Sequence, residues 1–306
     1  MRAPRYTGVR TFAGLPVVSD PAGIDACVVG IPFDTATSYR AGARFGPEAI
    51  RAGSTLLRPY HPPLDVDVFG GRSVVDFGDL VVTPGNAART MDQIADGLGP
   101  LLAAGAVPVV LGGDHSVVLG ELRAHAAAVG GPLALVLLDA HADTWDEYYG
   151  ERIFHGTPFR RAVEEGLLLP ERSLLAGMRG PLYSASDLGS ARELGFELLT
   201  GEELRALTPA EYGRRVRERV GEAPAYLSFD IDVIDPAFAP ATGTPEVAGL
   251  TPHEALGFLH SLAGMRFRGF DVVEVSAPYD GPGQTTAMLA ANIAYELLAL
   301  SAVAES

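Results

Sequence analysis

The feature that most constrains this chain is a repeated transition from a short apolar run to acids and histidine. "LALVLLDAHAD" changes character at Asp139, "VVLGGDHS" at Asp114, "AYLSFDIDVIDP" at Asp230 and "FDVVEVSAP" at Glu274. Short apolar runs bounded by turn residues read as strands buried on both faces. Eight are found: "ACVVGI", "SVVDF", "VPVVLGG", "LALVLLD", "SLLAGM", "FELLT", "AYLSFDID" and "FDVVEVS". Helical patterns lie between them, including "AARTMDQIADGLGPLLAAG", "VVLGELRAHAAAV", "PAEYGRRVRERVG", "TPHEALGFLHSLAG" and "TTAMLAANIAYELLALSAVA". Strands alternating with helices imply an α/β fold, a mainly parallel sheet covered on both faces. "TPGN" at 83–86 is a turn suited to capping the helix after it. With no internal repeat, low-complexity tract or long linker, one domain over residues 1–306 is expected.

Composition narrows the function. A formal charge of −15 and a pI near 4.8 argue against a nucleic-acid surface, which needs clustered cations. An acidic chain instead attracts metal ions or a small cationic molecule. The one cysteine, Cys27, sits in "ACVVGI" and is expected to pack as a small hydrophobe, which excludes an intrachain disulfide and Cys-rich metal sites. "MRAPRYTGVRTFAG" has no hydrophobic signal core, and no apolar run is expected to reach membrane-spanning length. A cytoplasmic protein without a membrane partner is therefore expected.

In parallel sheets, sites form beyond the carboxyl ends of the strands. Residues two apart share a side of an extended segment, so Asp139, His141 and Asp143 can converge, as can Asp230 and Asp232. Carboxylates so close repel unless they are protonated or neutralised by cations. Asp139, Asp143, Asp230 and Asp232 carry enough charge to balance two divalent ions, and His115 and His141 can each add a nitrogen ligand. Carboxylate and imidazole without thiolate suit Mn, Fe, Co, Ni or Zn. A metal pair lowers the pKa of a shared water. A single strand-end Asp or His is usually a cap or turn residue, but three such clusters are hard to explain that way.

The same stretches, "GGDHS" (112–116), "DAHAD" (139–143), "HGTPF" (155–159), "SFDIDVIDPAFAPATGTP" (228–245) and "EVSAPYD" (274–280), resemble the ureohydrolase family of arginases, agmatinases and related amidinohydrolases. "GARFGPEAIR" (42–51) is similar to that family's early loop and helix. The resemblance implies a three-layer α/β/α fold with an eight-stranded parallel sheet, two Mn2+ per chain, and a homotrimer or homohexamer. It implies that His115, Asp139, Asp143 and Asp230 hold one ion, and His141, Asp139, Asp230 and Asp232 the other. It also implies proton transfer by His155 and guanidinium binding by Glu274. A carboxylate can pair with a guanidinium fork, and histidine titrates where a departing amine needs a proton.

The substrate's tail is expected to be read by "DTWDEYYGERIFHGTPF". If Asp146, Glu147 and Glu151 line the entrance, they attract an ammonium, and Trp145, Tyr148 or Tyr149 can form the wall. Agmatine fits such an entrance. Arg152, Arg160 or Arg161 could instead receive a carboxylate, which keeps 4-guanidinobutyrate or another guanidino acid as the alternative. A formimino or acetyl amide as substrate, or a metal-binding homologue without turnover, are the remaining readings. His61, His125, His253 and His260 are expected to be solvated or locally hydrogen-bonded, and Asp235 to shape its turn. "GGDHS" and "GARFGP" lack the spacing of a phosphate-cradling loop.

Overall fold

Each of the eight apolar runs forms a strand of one sheet. In chain order the strands are β1 (Ala26–Gly30), two-residue β2 (Tyr60–His61) and β3 (Val66–Asp67), β4 (Val74–Asp79), β5 (Val107–Leu111), β6 (Ala134–Leu138), β7 (Leu174–Met178), β8 (Glu197–Thr200), β9 (Ala225–Asp230) and β10 (Phe267–Val273). The helices are α1 (Gly46–Gly53), α2 (Ala87–Ala103), α3 (Val118–Val129), α4 (Pro158–Glu164), α5 (Asp187–Glu193), α6 (Gly201–Arg205), α7 (Pro209–Val220), α8 (Pro252–His260) and α9 (Thr285–Glu305). This computed structural model describes residues 4, 5, 7–184 and 186–305; of the range 1–306, residues 1–3, 6, 185 and 306 lie outside the described residues.

The sheet order is β4-β1-β5-β10-β9-β6-β7-β8, and every pairing within it is parallel. Alternate side chains of each strand enter opposite cores. Val109, Val136, Leu227 and Val272 pack with residues of α7, α8 and α9. Val110, Leu135, Leu137 and Val273 pack with residues of α2, α3 and α4. The result is the expected three-layer α/β/α arrangement. Ile94, Leu98 and Leu101 of α2 are fully buried, each contributing about 1.5–3 kcal/mol relative to exposure. Asn86 caps that helix by accepting from Arg89 N, as the turn before it suggested.

One expectation needs correcting. Within α9 the stretch Thr285–Ala304 has a mean hydropathy of 1.6 and is long enough to cross a bilayer by length and composition. Of that window 72% is buried inside the protein, against α1, α8 and the sheet. A helix apolar all round is what a core position requires.

The glycines of "GGDHS" serve close packing. A Cβ at Gly113 would lie 1.7 Å from the Phe33 carbonyl oxygen. That same oxygen accepts from Asp114 N at 2.8 Å. The backbone contact brings the segment after β5 over the sheet edge and turns His115 inward.

Candidate metal centre

The four strands that end in acids or histidine, β5, β10, β9 and β6, are consecutive neighbours in the sheet. Their carboxyl ends therefore form one continuous edge. Register pairs Val273 with Asp230 and Leu138 with Phe229, so the residues just beyond are delivered at one height.

There the predicted ligands meet. His115 Nδ1 lies 2.9 Å from Asp143 Oδ2, 3.1 Å from Asp139 Oδ2 and 3.3 Å from Asp230 Oδ2. His141 Nδ1 lies 3.0 Å from Asp232 Oδ2 and 3.7 Å from Asp139 Oδ1. Asp139 faces both histidines. Three aspartates share one design, in which a backbone N–H ties down Oδ1: His141 N for Asp139, Ala140 N for Asp232, and Asp232 N for Asp230. Oδ2 is left to point into the cluster. His115 Nδ1, Asp139 Oδ2 and Asp232 Oδ2 are buried without a hydrogen-bond partner. Orphaned buried lone pairs are costly; a cation in the His115 group would satisfy His115 Nδ1 and Asp139 Oδ2, and a second in the His141 group would satisfy Asp232 Oδ2. The donor set, nitrogen and carboxylate oxygen, fits divalent transition ions. Asp143, which completes the first group, has a left-handed backbone with φ of 48°. Such strain in a non-glycine residue persists where surrounding structure imposes it, often at functional sites.

Without a cation, protons must relieve the crowding. Burial, with Asp143 and Asp232 nearby, pushes Asp139 up to about 8. Burial and the same kind of neighbours hold Asp230 well above the usual carboxylate range. Burial opposes a charged His115, yet the carboxylates Asp139, Asp143 and Asp230 raise it well above its ordinary value. At Asp232 burial acts upward, but His141 outweighs it and holds that carboxyl low.

His155 and Glu274 sit beside the cluster. His155 Nε2 accepts from Ser38 N at 3.0 Å, so Nδ1 carries the proton and donates to Glu274 Oε1 at 3.0 Å. Burial lowers the His155 pKa and the Glu274 charge raises it, with a net upward shift. Glu274 Oε1 also accepts from His115 N at 2.8 Å, while its Oε2 is buried without a partner. Glu274 too has a left-handed backbone, with φ of 61°.

Above the cluster opens a pocket of about 490 Å³ walled by Tyr39, Trp145, Tyr148, Tyr149 and Tyr183 together with Ser38, Thr244 and Glu246. The aromatic wall was anticipated at Trp145, Tyr148 and Tyr149. The acids were not placed correctly. Asp146 pairs with Arg161 at 2.6 Å, and neither it nor Glu147 or Glu151 lines this pocket. The acid there is Glu246, whose Oε1 lies 4.0 Å from His141 Nε2. Glu246 directly follows "ATGTP", and the strand-end rule could not find it because it comes from a long loop. Arg152 pairs with Glu164, Arg160 Nε donates to Thr144 O, and Arg161 is held by Asp146 and Glu164. None of the three lines the pocket.

The remaining histidines divide. His253 is exposed. His61 and His260 both bond to Glu296, at 2.8 and 2.9 Å, although His61 is buried rather than solvated. His125 is neither solvated nor hydrogen-bonded: it is 1% exposed against the Tyr226 ring, and burial drives its pKa down to about 3. Asp235 shapes its turn by accepting from Ala237 N and Gly249 N. Cys27 is buried in β1, and burial pushes its thiol up to about 12.

Comparison with known proteins agrees with this geometry. The sequence pattern described as the Arginase family matches residues 24–300. A guanidinobutyrase of Pseudomonas aeruginosa is 44% identical over 96% of this chain and 93% of that protein. A mitochondrial agmatinase of Gallus gallus is 44% identical over 96% of this chain and 86% of that protein. The structure of proclavaminate amidinohydrolase from Streptomyces clavuligerus superposes with a TM-score of 0.94 at 43% identity, covering 99% of this chain and 100% of that one.

Proposed function

This chain belongs to the arginase family, and from that premise we propose that it hydrolyses a guanidino compound to urea and an amine, with agmatine as the preferred substrate. The observation that carries the reaction class is the pair of imidazole and carboxylate groups that share Asp139 and leave buried lone pairs pointing inward. We assign one ion to His115, Asp139, Asp143 and Asp230, and the other to His141, Asp139, Asp230 and Asp232, with Mn2+ as the ion. When bound, such a pair lowers the pKa of water so that hydroxide is available near neutral pH.

The chain's own residues do the rest. A guanidinium is resonance-stabilised and a poor electrophile, so it must be held close to the nucleophile in a fixed orientation. Glu274 offers its unpartnered Oε2 to guanidinium N–H groups. His155, buried and set by Ser38 and Glu274, supplies the proton that the departing amine requires. Trp145 and Tyr148 line the cavity that His155, His141 and Asp143 also line, and so narrow the approach to the cluster.

Agmatine is preferred because, among the described residues, Glu246 is the one Asp, Glu, Lys or Arg on the pocket wall. A carboxylate among aromatic rings attracts a terminal ammonium and repels a terminal carboxylate. A second reading, a guanidino acid such as 4-guanidinobutyrate, is favoured by Arg40. Its guanidinium rests between the rings of Tyr39 and Tyr279, at 5.4 and 5.2 Å, beside the pocket. The names of relatives support both readings alike. The test is kcat/KM for urea release from agmatine, 4-guanidinobutyrate and arginine, with manganese added and withheld. Agmatine is expected to lead in the presence of manganese. A preference for 4-guanidinobutyrate overturns the tail assignment, and no urea from any of them overturns the reaction class.

A further inference from the structure

Behind the cluster, on the side away from the pocket, a line of polar side chains is sealed inside the protein. His115, Ser228, Asp271, Tyr226 and Glu121 are each 0% exposed. His115 Nε2 lies 2.9 Å from Ser228 Oγ, and Ser228 Oγ lies 2.7 Å from Asp271 Oδ1. Phe229 N donates to the same Asp271 oxygen at 3.2 Å. Tyr226 donates its hydroxyl to Glu121 Oε2. None of these outer groups touches the pocket above the cluster.

The direction of each bond can be read. A backbone N–H fixes Asp271 Oδ1 as an acceptor, so the one hydroxyl proton of Ser228 goes to that oxygen. Ser228 Oγ is then left to accept from His115, which puts a proton on Nε2. A neutral imidazole with Nε2–H has a bare lone pair on Nδ1. Nδ1 is the atom that faces Asp139, Asp143 and Asp230. The opposite tautomer would leave Ser228 Oγ facing a second lone pair, at a position sealed from bulk solvent.

We propose that Ser228 and Asp271 are positioning residues that hold His115 as its Nε2–H tautomer and so set the affinity of the ion on its side, independently of the other ion. The proposal rests on the two-ion reading above. Among the described residues His141 has no such fixture. Its side chain is 24% exposed, and the nearest carboxylate to its Nε2 is Glu246 at 4.0 Å. The two sites should therefore respond differently when the buried line is cut.

Metal-free protein titrated with Mn2+, with free ion counted from its electron paramagnetic resonance signal, tests this directly. The unsubstituted chain is expected to take up two ions. In Ser228→Ala, one ion should bind as before and the other about 10- to 100-fold more weakly. Asp271→Asn keeps a carbonyl oxygen for both of its donors, so both affinities should stay within about threefold of the original. Circular dichroism and the melting temperature report whether each variant folds. Ser228→Ala binding both ions as before, or losing affinity for both alike, overturns the proposal. So does Asp271→Asn weakening one site as much as Ser228→Ala does. If Ser228→Ala does not fold, Asp271→Ala, which takes the acceptor from the Ser228 hydroxyl, is titrated in its place: one ion bound about 10-fold more weakly supports the proposal, and two unchanged affinities overturn it. An unsubstituted chain that takes up no ion overturns the two-ion reading and this proposal together, whereas the other outcomes leave that reading standing.

Discussion

His115 and His141 have Asp139 as a common neighbour, and their surroundings differ in kind. His115 is 0% exposed, enters from the segment after β5, and is backed by Ser228 and Asp271 on β9 and β10. His141 lies at the pocket floor with a side chain 24% exposed, backed loosely by the loop acid Glu246. The sheet holds one half of the cluster and the aromatic-walled pocket reaches the other. The proposed pair of ions would need both properties, since one side must be kept in place while the other admits and releases a ligand. Rigid elements hold ligands more accurately than loops do. Loops, in turn, are where recognition of variable substrate tails is usually built.

The strongest way to break that contrast is at a residue assigned to both halves. Asp139→Ala should empty both sites and lower kcat by about a thousandfold, the scale of several kcal/mol of lost stabilisation. Asp143→Ala, which touches only the His115 group, should mainly weaken one ion. Metal analysis beside turnover checks this, and an Asp139→Ala protein retaining two ions and full activity would refute the sharing. A smaller effect is expected at the pocket. Glu246→Gln should lower kcat/KM for agmatine by about tenfold and leave a guanidine with a neutral alkyl tail unchanged, with ion content intact. Loss of an ion instead would make Glu246 the counterpart of Ser228, and the contrast would collapse.

The smallest effect is on stability without metal. Asp139 sits at about 8 in the folded chain, and His115 is also held above its ordinary value. Both groups bind protons more tightly when folded, so their contribution is full below the unfolded carboxylate value near 4 and is lost as pH rises through about 8. Metal-free protein should melt a few degrees lower at pH 8 than at pH 5, and Mn2+ should remove that difference. Thermal scans with and without chelator check the sign. A metal-free melting temperature that rises over this range would contradict it.

What the sequence determined by itself was local: where apolar runs stop and which side chains follow the stop. Period and burial demand set both, so the eight strands, the long helices and the candidate ligands were all legible. The hairpin β2–β3 and the short helices α4, α5 and α6 were not, being too brief to carry a period. Only the tertiary structure decided that β5, β10, β9 and β6 would be neighbours, because strand order depends on crossovers between distant segments. It also decided that Glu246, rather than Asp146, Glu147 or Glu151, reaches the pocket, since a loop's charges show no periodicity by which to aim them. Asp271 shows the limit most plainly. It is a single acid within an apolar strand, and its meaning depends on a serine one strand away.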